Sequence, residues 1–224
     1  MSGVSDFHRK VASIALQAAS GHGFVLAGGN ALLAHGIGDR PTMDVNLATT
    51  AEDGVRTVME AVATALKAAG FHVERVDQFA DAADIPGRPG EMAEGWVEWT
   101  VAHGGQQVIL QMNFTEATRD PVTMDFGPVM ALEDVLGAKV VALVERSEDR
   151  DYVDVGAALA RFDAHQLMAW AVALEPSLTL ENFAAVAWQL DAMSDDEFAR
   201  YLDVEGVARL RERFSAWPRQ GGAS

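Results

Sequence analysis

The sequence predicts an α+β fold, a sheet domain followed by a helical bundle. Three observations carry this reading. Short alternating or apolar runs, separated by turn residues, all lie before residue 127. From Ala131 onward the apolar positions recur at helical spacing. Gly28-Gly29 and His103-Gly104-Gly105 interrupt the first part where strands should end. Strands and helices that segregate along a chain make an α+β arrangement. The predicted boundaries are 1–127 for the sheet domain and 128–218 for a helical domain that packs on it and closes a cleft. Residues 219–224 are predicted to be a flexible tail.

Taken in order, residues 5–20 read as an amphipathic helix ended by Gly21 and Gly23. Residues 24–27 form a short apolar strand, broken by Gly28-Gly29, and a helix starts at 30–35. Residues 42–48 alternate, with Met43, Val45 and Leu47 on one face and Asp44 and Asn46 on the other. A helix over 52–69 stops at Gly70, and a strand follows over 71–76. Residues 78–90 hold two prolines and two glycines and read as a loop. Residues 95–102 and 106–114 read as a hairpin. A two-residue Gly104-Gly105 turn sets Glu98 opposite Gln111 on one face, and a three-residue turn sets it on the other. A short strand is expected over 121–126. Helices follow over 132–146, 149–162, 164–173, 180–192, 195–202 and 204–217.

Composition narrows the functional classes. Nearly half of the 224 residues are apolar, enough for a sizeable core. There is no cysteine, which excludes disulfides, thiolate nucleophiles and cysteine-held zinc and suits a cytoplasmic protein. No apolar run is long enough to span a membrane, and the first ten residues do not resemble a signal peptide. With 33 acidic and 17 basic residues the net charge is −16, which argues against a broad nucleic-acid-binding surface. The C-terminal arginines (200, 209, 211, 213 and 219) read as a solvated helix face.

Several residues could carry chemistry. A Gly-Gly turn between strand and helix lets backbone N–H groups approach a phosphate, though a plain tight turn explains it as well. Asp44 on the next strand could hold a divalent cation. Lys139 lies on an apolar helix stripe, where its ammonium must snorkel or meet an anion. Asp151 and Asp154 are i, i+3 neighbours on the following helix and suit either a site or an internal ion pair. His35 reads first as a helix C-terminal cap. Met168, Trp170, Phe183, Trp188 and Met193 read as bundle core.

Together these stretches resemble the AbiEii-type nucleotidyltransferase toxins. FVLAGGNALLAHGIGDRPTMDVNLAT looks like the family's first motif: a Gly-Gly pair, an Ala-Leu, a His-Gly, then Arg-x-Thr/Ser and Asp-x-Asp on a strand. LEDVLGAKVVALVERSEDRDYVDVGAAL looks like the second, a Lys-x-x-Ala-Leu helix followed by Arg-Asp-x-x-Asp. The resemblance implies a nucleotidyltransferase-type mixed sheet with flanking helices and a C-terminal helical bundle. It implies Mg²⁺-dependent transfer of a nucleotide from a nucleoside triphosphate, with substrate in the inter-domain cleft and an antitoxin protein as partner. Residue by residue, Gly28 and Gly29 match the phosphate-side turn, and Asn30 stands where a small or hydroxyl residue is usual. Arg40 matches the Arg-x-Thr element, Asp44 the first metal carboxylate and Lys139 the motif lysine. Arg150, Asp151 and Asp154 match Arg-Asp-x-x-Asp. Two positions depart from the pattern: the second metal carboxylate is Asn46, and the third, on a later strand, is Gln111.

Three readings follow. The chain is an active nucleotidyltransferase, with Asp44 holding Mg²⁺ and Asn46, Gln111 or Glu98 completing the site. Alternatively it is a repurposed, metal-independent acid–base enzyme of specialised metabolism, drawing on Asp44, His35, Glu98, Lys139 and Asp151. Or it is a non-catalytic binder of a nucleotide or a partner.

Overall fold

The computed structural model describes residues 4–76 and 95–219; the loop expected over 78–90 and the tail from residue 220 lie outside them. The chain forms two compact units. One comprises Met1–Ala34 with Pro41–Ala131, the other His35–Arg40 with Leu132–Ser224.

The first unit contains α1 (Asp6–Ala18), β1 (Val25–Ala27), α2 (Gly28–Ala34), β2 (Asp44–Thr49), α3 (Gly54–Ala68), β3 (His72–Arg75), β4 (Trp96–His103), β5 (Gln106–Phe114), β6 (Val122–Met124) and β7 (Gly127–Val129). The strands form one sheet in the order β3-β4-β5-β2-β1-β7-β6. β2 runs parallel to β5 and β1 parallel to β7, while the remaining neighbours are antiparallel, so the sheet is mixed. Its apolar face carries Val45 and Leu47 beside Val108, Leu110 and Met112, with Val97, Trp99 and Val101 in register opposite. α1 and α3 pack on β2 and β5 and bury Val11, Ala15, Leu16, Val58, Val62 and Leu66. The period-2 alternation leaves the opposite face to Asp44, Asn46, Gln111 and Glu98.

The hairpin register pairs His103 with Gln106, leaving Gly104-Gly105 as a two-residue turn. Both glycines have positive φ, as a primed turn demands. Glu98 therefore stands opposite Gln111. The single strand expected over 121–126 is instead part of a second hairpin, β6 and β7, and β7 extends the sheet beside β1. Three-residue strands are too short to leave an alternation in the sequence. α2 starts at Gly28, so the two glycines form the first turn of the helix rather than a loop before it.

The second unit contains α4 (Leu132–Arg146), α5 (Asp149–Ala158), α6 (Ala164–Leu174), α7 (Leu180–Ala192) and α8 (Val204–Arg213). Asp163 and Thr179 open α6 and α7 with capping boxes. The helix expected over 195–202 is one 3-10 turn, Asp195–Phe198, because Phe198 is its single buried anchor. Tyr152 lies edge-on to Phe198 and Phe214, at 6.3 and 5.6 Å. Its hydroxyl donates to Val186 O, and burial pushes its pKa up to about 12. Trp188, expected in the core, is 69% exposed, since α7 turns Phe183, Val186, Ala187 and Leu190 inward instead. Among the described residues no helix is long and apolar enough to cross a membrane.

Candidate active site

In the sheet unit the polar face concentrates the chemistry. Asn46 is paired in register with Gln111, and Gln111 with Glu98, so the three side chains form a row across β2, β5 and β4. Asp44 stands two residues before Asn46 on the same face of β2. Gln111 Nε2 donates to Glu98 Oε2 at 2.7 Å. A carboxylate only accepts, so this bond fixes the amide and turns Gln111 Oε1 away from Glu98. Glu98 is nearly fully buried, at 4% exposure.

Gly28 closes the row at its β1 end. Its φ is +62°, and a Cβ there would stand 2.6 Å from Asn46 Nδ2 and 3.1 Å from Asn46 Cβ. The glycine is thus required by the close approach of Asn46. Gly29 is buried in the first turn of α2.

Beneath Asp44 lies a buried hydrogen-bond chain. Asn30 is fully buried, and its Nδ2 donates to the backbone carbonyl of Asp44 at 2.6 Å. Its Oδ1 accepts from Thr42 Oγ1 at 3.0 Å, and Thr42 Oγ1 lies 3.3 Å from His8 Nδ1. Ser5 caps α1 by accepting from the His8 amide, which sets His8 in the first turn. Burial lowers the His8 pKa, opposed by its bond to Asn30 and by the charge of Asp44. Sequence reasoning did not single out His8. A lone histidine in the first turn of a helix has no periodic signature, and only the register of 42–46 beside α1 reveals it.

In the helical unit a second set is built around Asp154. Lys139 Nζ lies 2.7 Å from Asp154 Oδ2. Arg40 grips the same carboxylate with Nε and Nη2, at 2.9 and 2.8 Å, and its guanidinium lies 5.3 Å from the Tyr201 ring centre. Burial pushes the Asp154 carboxyl up, but Arg40 and Lys139 together hold it below the usual range. Asp151 does not join this set. It is fully buried and accepts from Arg146 Nε and Nη2, both at 2.7 Å. Arg150 pairs with Glu148 at 2.7 Å, and His35 follows the last residue of α2. Arg40 and Asp154 also line a cavity of about 400 Å³ with Tyr201, Arg209 and Arg213. The C-terminal arginines are engaged locally: Arg211 holds Leu190 O, Met193 O and Asp195, Arg213 donates to Gly156 O, and Arg219 pairs with Asp191.

Comparison with known families matches residues 11–178 to the model described as nucleotidyl transferase AbiEii toxin, type IV TA system. The chain belongs to the AbiEii nucleotidyltransferase toxin family. Solved structures agree on the fold. JHP933 from Helicobacter pylori superposes with a TM-score of 0.58 at 14% identity, covering 95% of this chain and 92% of its own. MenT4, a nucleotidyltransferase toxin from Mycobacterium tuberculosis, gives 0.54 at 15% identity over 92% and 80%. No curated protein matches the sequence. β2 carries Asp44 and Asn46, and its parallel neighbour β5 carries Gln111 in register with Asn46.

Proposed function

We propose that this AbiEii-family chain transfers a nucleotide from a nucleoside triphosphate to an RNA or small-molecule acceptor, using a metal site of reduced charge. One observation carries the reading. Asp44, Asn46, Gln111 and Glu98 share one face of the sheet, and the Glu98–Gln111 bond keeps a carboxylate in the row although position 111 is an amide. Asp44 would hold Mg²⁺, with Asn46 and Gln111 offering neutral oxygens; such a set suits one cation arriving on a triphosphate. Among the described residues no group of three or more His, Cys, Asp or Glu is placed to hold a metal. A resident cation pair relies on more fixed negative charge than this row provides. When bound, Mg²⁺ supplies neutralisation of phosphate charge. Family membership makes an antitoxin protein the expected partner.

The same Glu98–Gln111 pair favours a second reading. A buried carboxylate locked to an amide could serve metal-independent acid–base work on a small neutral substrate.

Incubation with each of four α-labelled ribonucleoside triphosphates, with transfer RNA, protein or small hydroxyl acceptors, separates the readings. Transfer that needs Mg²⁺ and disappears in Asp44→Ala is the expected result. Absence of transfer with every triphosphate and acceptor overturns it. Turnover of a small molecule that withstands chelator would support the second reading.

A further inference from the structure

We propose that a cavity in the sheet unit holds the nucleoside of the triphosphate, a role that rests on the nucleotide-transfer reading above. The cavity measures about 530 Å³, a volume that suits a small molecule. All of its lining residues belong to the sheet unit. The strand register fixes where it lies. Ala27, Asn46 and Gln111 form one row across β1, β2 and β5. Two residues along, Val25 pairs with Ala48, and Ala48 with Asn113. Alternation puts Val25 and Ala48 on the face that carries Asp44 and Asn46. Thr115 N–H donates to Thr49 O, which extends the pairing of β2 and β5 and brings Thr50 and Thr115 to that face as well. Met130 N–H donates to Leu26 O, which continues β7 past Val129 and sets Met130 on the same face. Val25, Ala48, Thr50, Thr115 and Met130 all line the cavity, so it continues the polar face beyond Asn46.

The lining suits a neutral ring rather than a phosphate. Val25, Ala48 and Met130 make an apolar floor, and the small Ala48 side chain leaves room above β2. Thr50 and Thr115 add hydroxyls that can each donate or accept. Thr49 also lines the cavity, but its hydroxyl is used within the fold: it donates to His22 O at 2.8 Å and accepts from Ala51 N–H at 3.1 Å. The charged lining residues are Arg119 and Asp120, one of each sign and both exposed. The cavity therefore has no surplus of positive charge for a phosphate group. A nucleobase has two apolar faces and an edge of donors and acceptors, which this floor and these hydroxyls complement.

The spacing along β2 selects the donor nucleotide. Asp44, Asn46, Ala48 and Thr50 follow one another on one face. Asp44 and Ala48 are four residues apart, about 13 Å of strand. An extended nucleoside triphosphate covers that span. With its phosphates at Asp44, its nucleoside falls at Ala48, whereas an acceptor needs only to bring a hydroxyl to the row.

Calorimetry on the full-length protein with Mg²⁺ tests the proposal, using each of the four ribonucleoside triphosphates and inorganic tripolyphosphate. The wild type should bind at least one nucleoside triphosphate more tightly than tripolyphosphate; no such preference overturns the nucleoside site. Ala48→Leu raises the floor and should weaken that nucleotide roughly tenfold or more, with tripolyphosphate affinity unchanged. Ala48 is buried, so thermal unfolding accompanies the titration. Thr50→Phe, at an exposed position, fills the cavity from its edge and should give the same selective loss even if Ala48→Leu does not fold. Unchanged nucleotide affinity in the folded variants, or an equal loss for tripolyphosphate, overturns the site. So does a rise in KM for the acceptor alone, which would make this the acceptor's pocket. If the wild type transfers nothing yet the variants lose nucleotide selectively, the nucleotide-transfer reading falls and the nucleoside site stands. If the wild type transfers and the variants bind nucleotide as before, the site falls and the reading stands.

Discussion

In the sheet unit, Asp44 and Glu98 share their face with two amides, and Gln111 donates to Glu98 within the row. In the helical unit, Asp151 and Asp154 are both buried and each is gripped by cations: Arg146 on one, Arg40 and Lys139 on the other. The first unit sets neutral amides beside its carboxylates. The second keeps its charges and neutralises them internally. Neutral amides bind without a large desolvation cost, whereas buried ions are tolerated only when paired. The helical set is therefore expected to be intolerant of losing a partner, and the sheet set to respond mainly in what it binds.

The largest effect is expected at Asp154. Asp154→Ala would leave two largely buried cations, Lys139 and Arg40, 14% and 12% exposed, without their shared carboxylate. Loss of one partner from a buried ion pair costs about 3–5 kcal/mol. Urea unfolding should show a loss of that size; a loss below about 1 kcal/mol would mean the cations are satisfied elsewhere. The pH dependence has a definite sign. The folded carboxyl titrates below its ordinary value of 3.8. Its contribution is therefore complete above that value and is lost as pH falls through the lower folded value. Acid unfolding of Asp154→Ala should lack this component.

Next in size is Gly28→Ala in the sheet unit. An alanine at φ +62° costs about 1–2 kcal/mol in backbone strain. Its Cβ would also meet Asn46 within 3.1 Å, so the amide must move. A total loss of roughly 2–3 kcal/mol is expected from thermal or urea unfolding, strain and repacking combined. Unchanged stability would show that Asn46 moves freely and that Gly28 is not fitted to it.

The contrast between the units also sets what could be read from the sequence. The Glu98–Gln111 pairing was open between two registers until the two-residue Gly104-Gly105 turn closed it, because one residue of slippage flips every side chain. β6 and β7 were merged into one expected strand, since three-residue strands carry no period. Lys139 on an apolar stripe called for an anion, but i, i+3 spacing could not say whether Asp151 or Asp154 would answer; the structure brings Asp154 to it. Hydrophobicity alone puts Trp188 in the core, but it does not distinguish a buried face from an exposed one when neighbours on both sides are apolar. His8 had no signal at all in one dimension. Its place beside Thr42 and Asn30 comes from contacts between distant parts of the chain, which no spacing encodes.

The smallest expected change is the one that addresses the comparison most directly. Asn46→Asp would give β2 the Asp-x-Asp pattern that the resemblance implies without altering the shape of the row, because the two side chains are nearly isosteric. Asp44 and the new carboxylate would then stand two residues apart on one face of β2. A second negative charge within several ångströms of a bound cation is worth roughly 1–4 kcal/mol, depending on how much water screens it. Mg²⁺ should therefore bind at least about tenfold more tightly by calorimetry, which corresponds to about 1.4 kcal/mol. The added charge should cost little stability without the metal, since the position is only half-buried. If Mg²⁺ affinity stays the same, Asp44 and position 46 do not converge on one cation, and the amides belong to a site that binds its ligand without one. If affinity rises and nucleotide transfer rises with it, the substitutions at 46 and 111 tune a nucleotidyltransferase down. If affinity rises while transfer is unchanged, the rate is set elsewhere in the row, and Glu98 becomes the group to vary next.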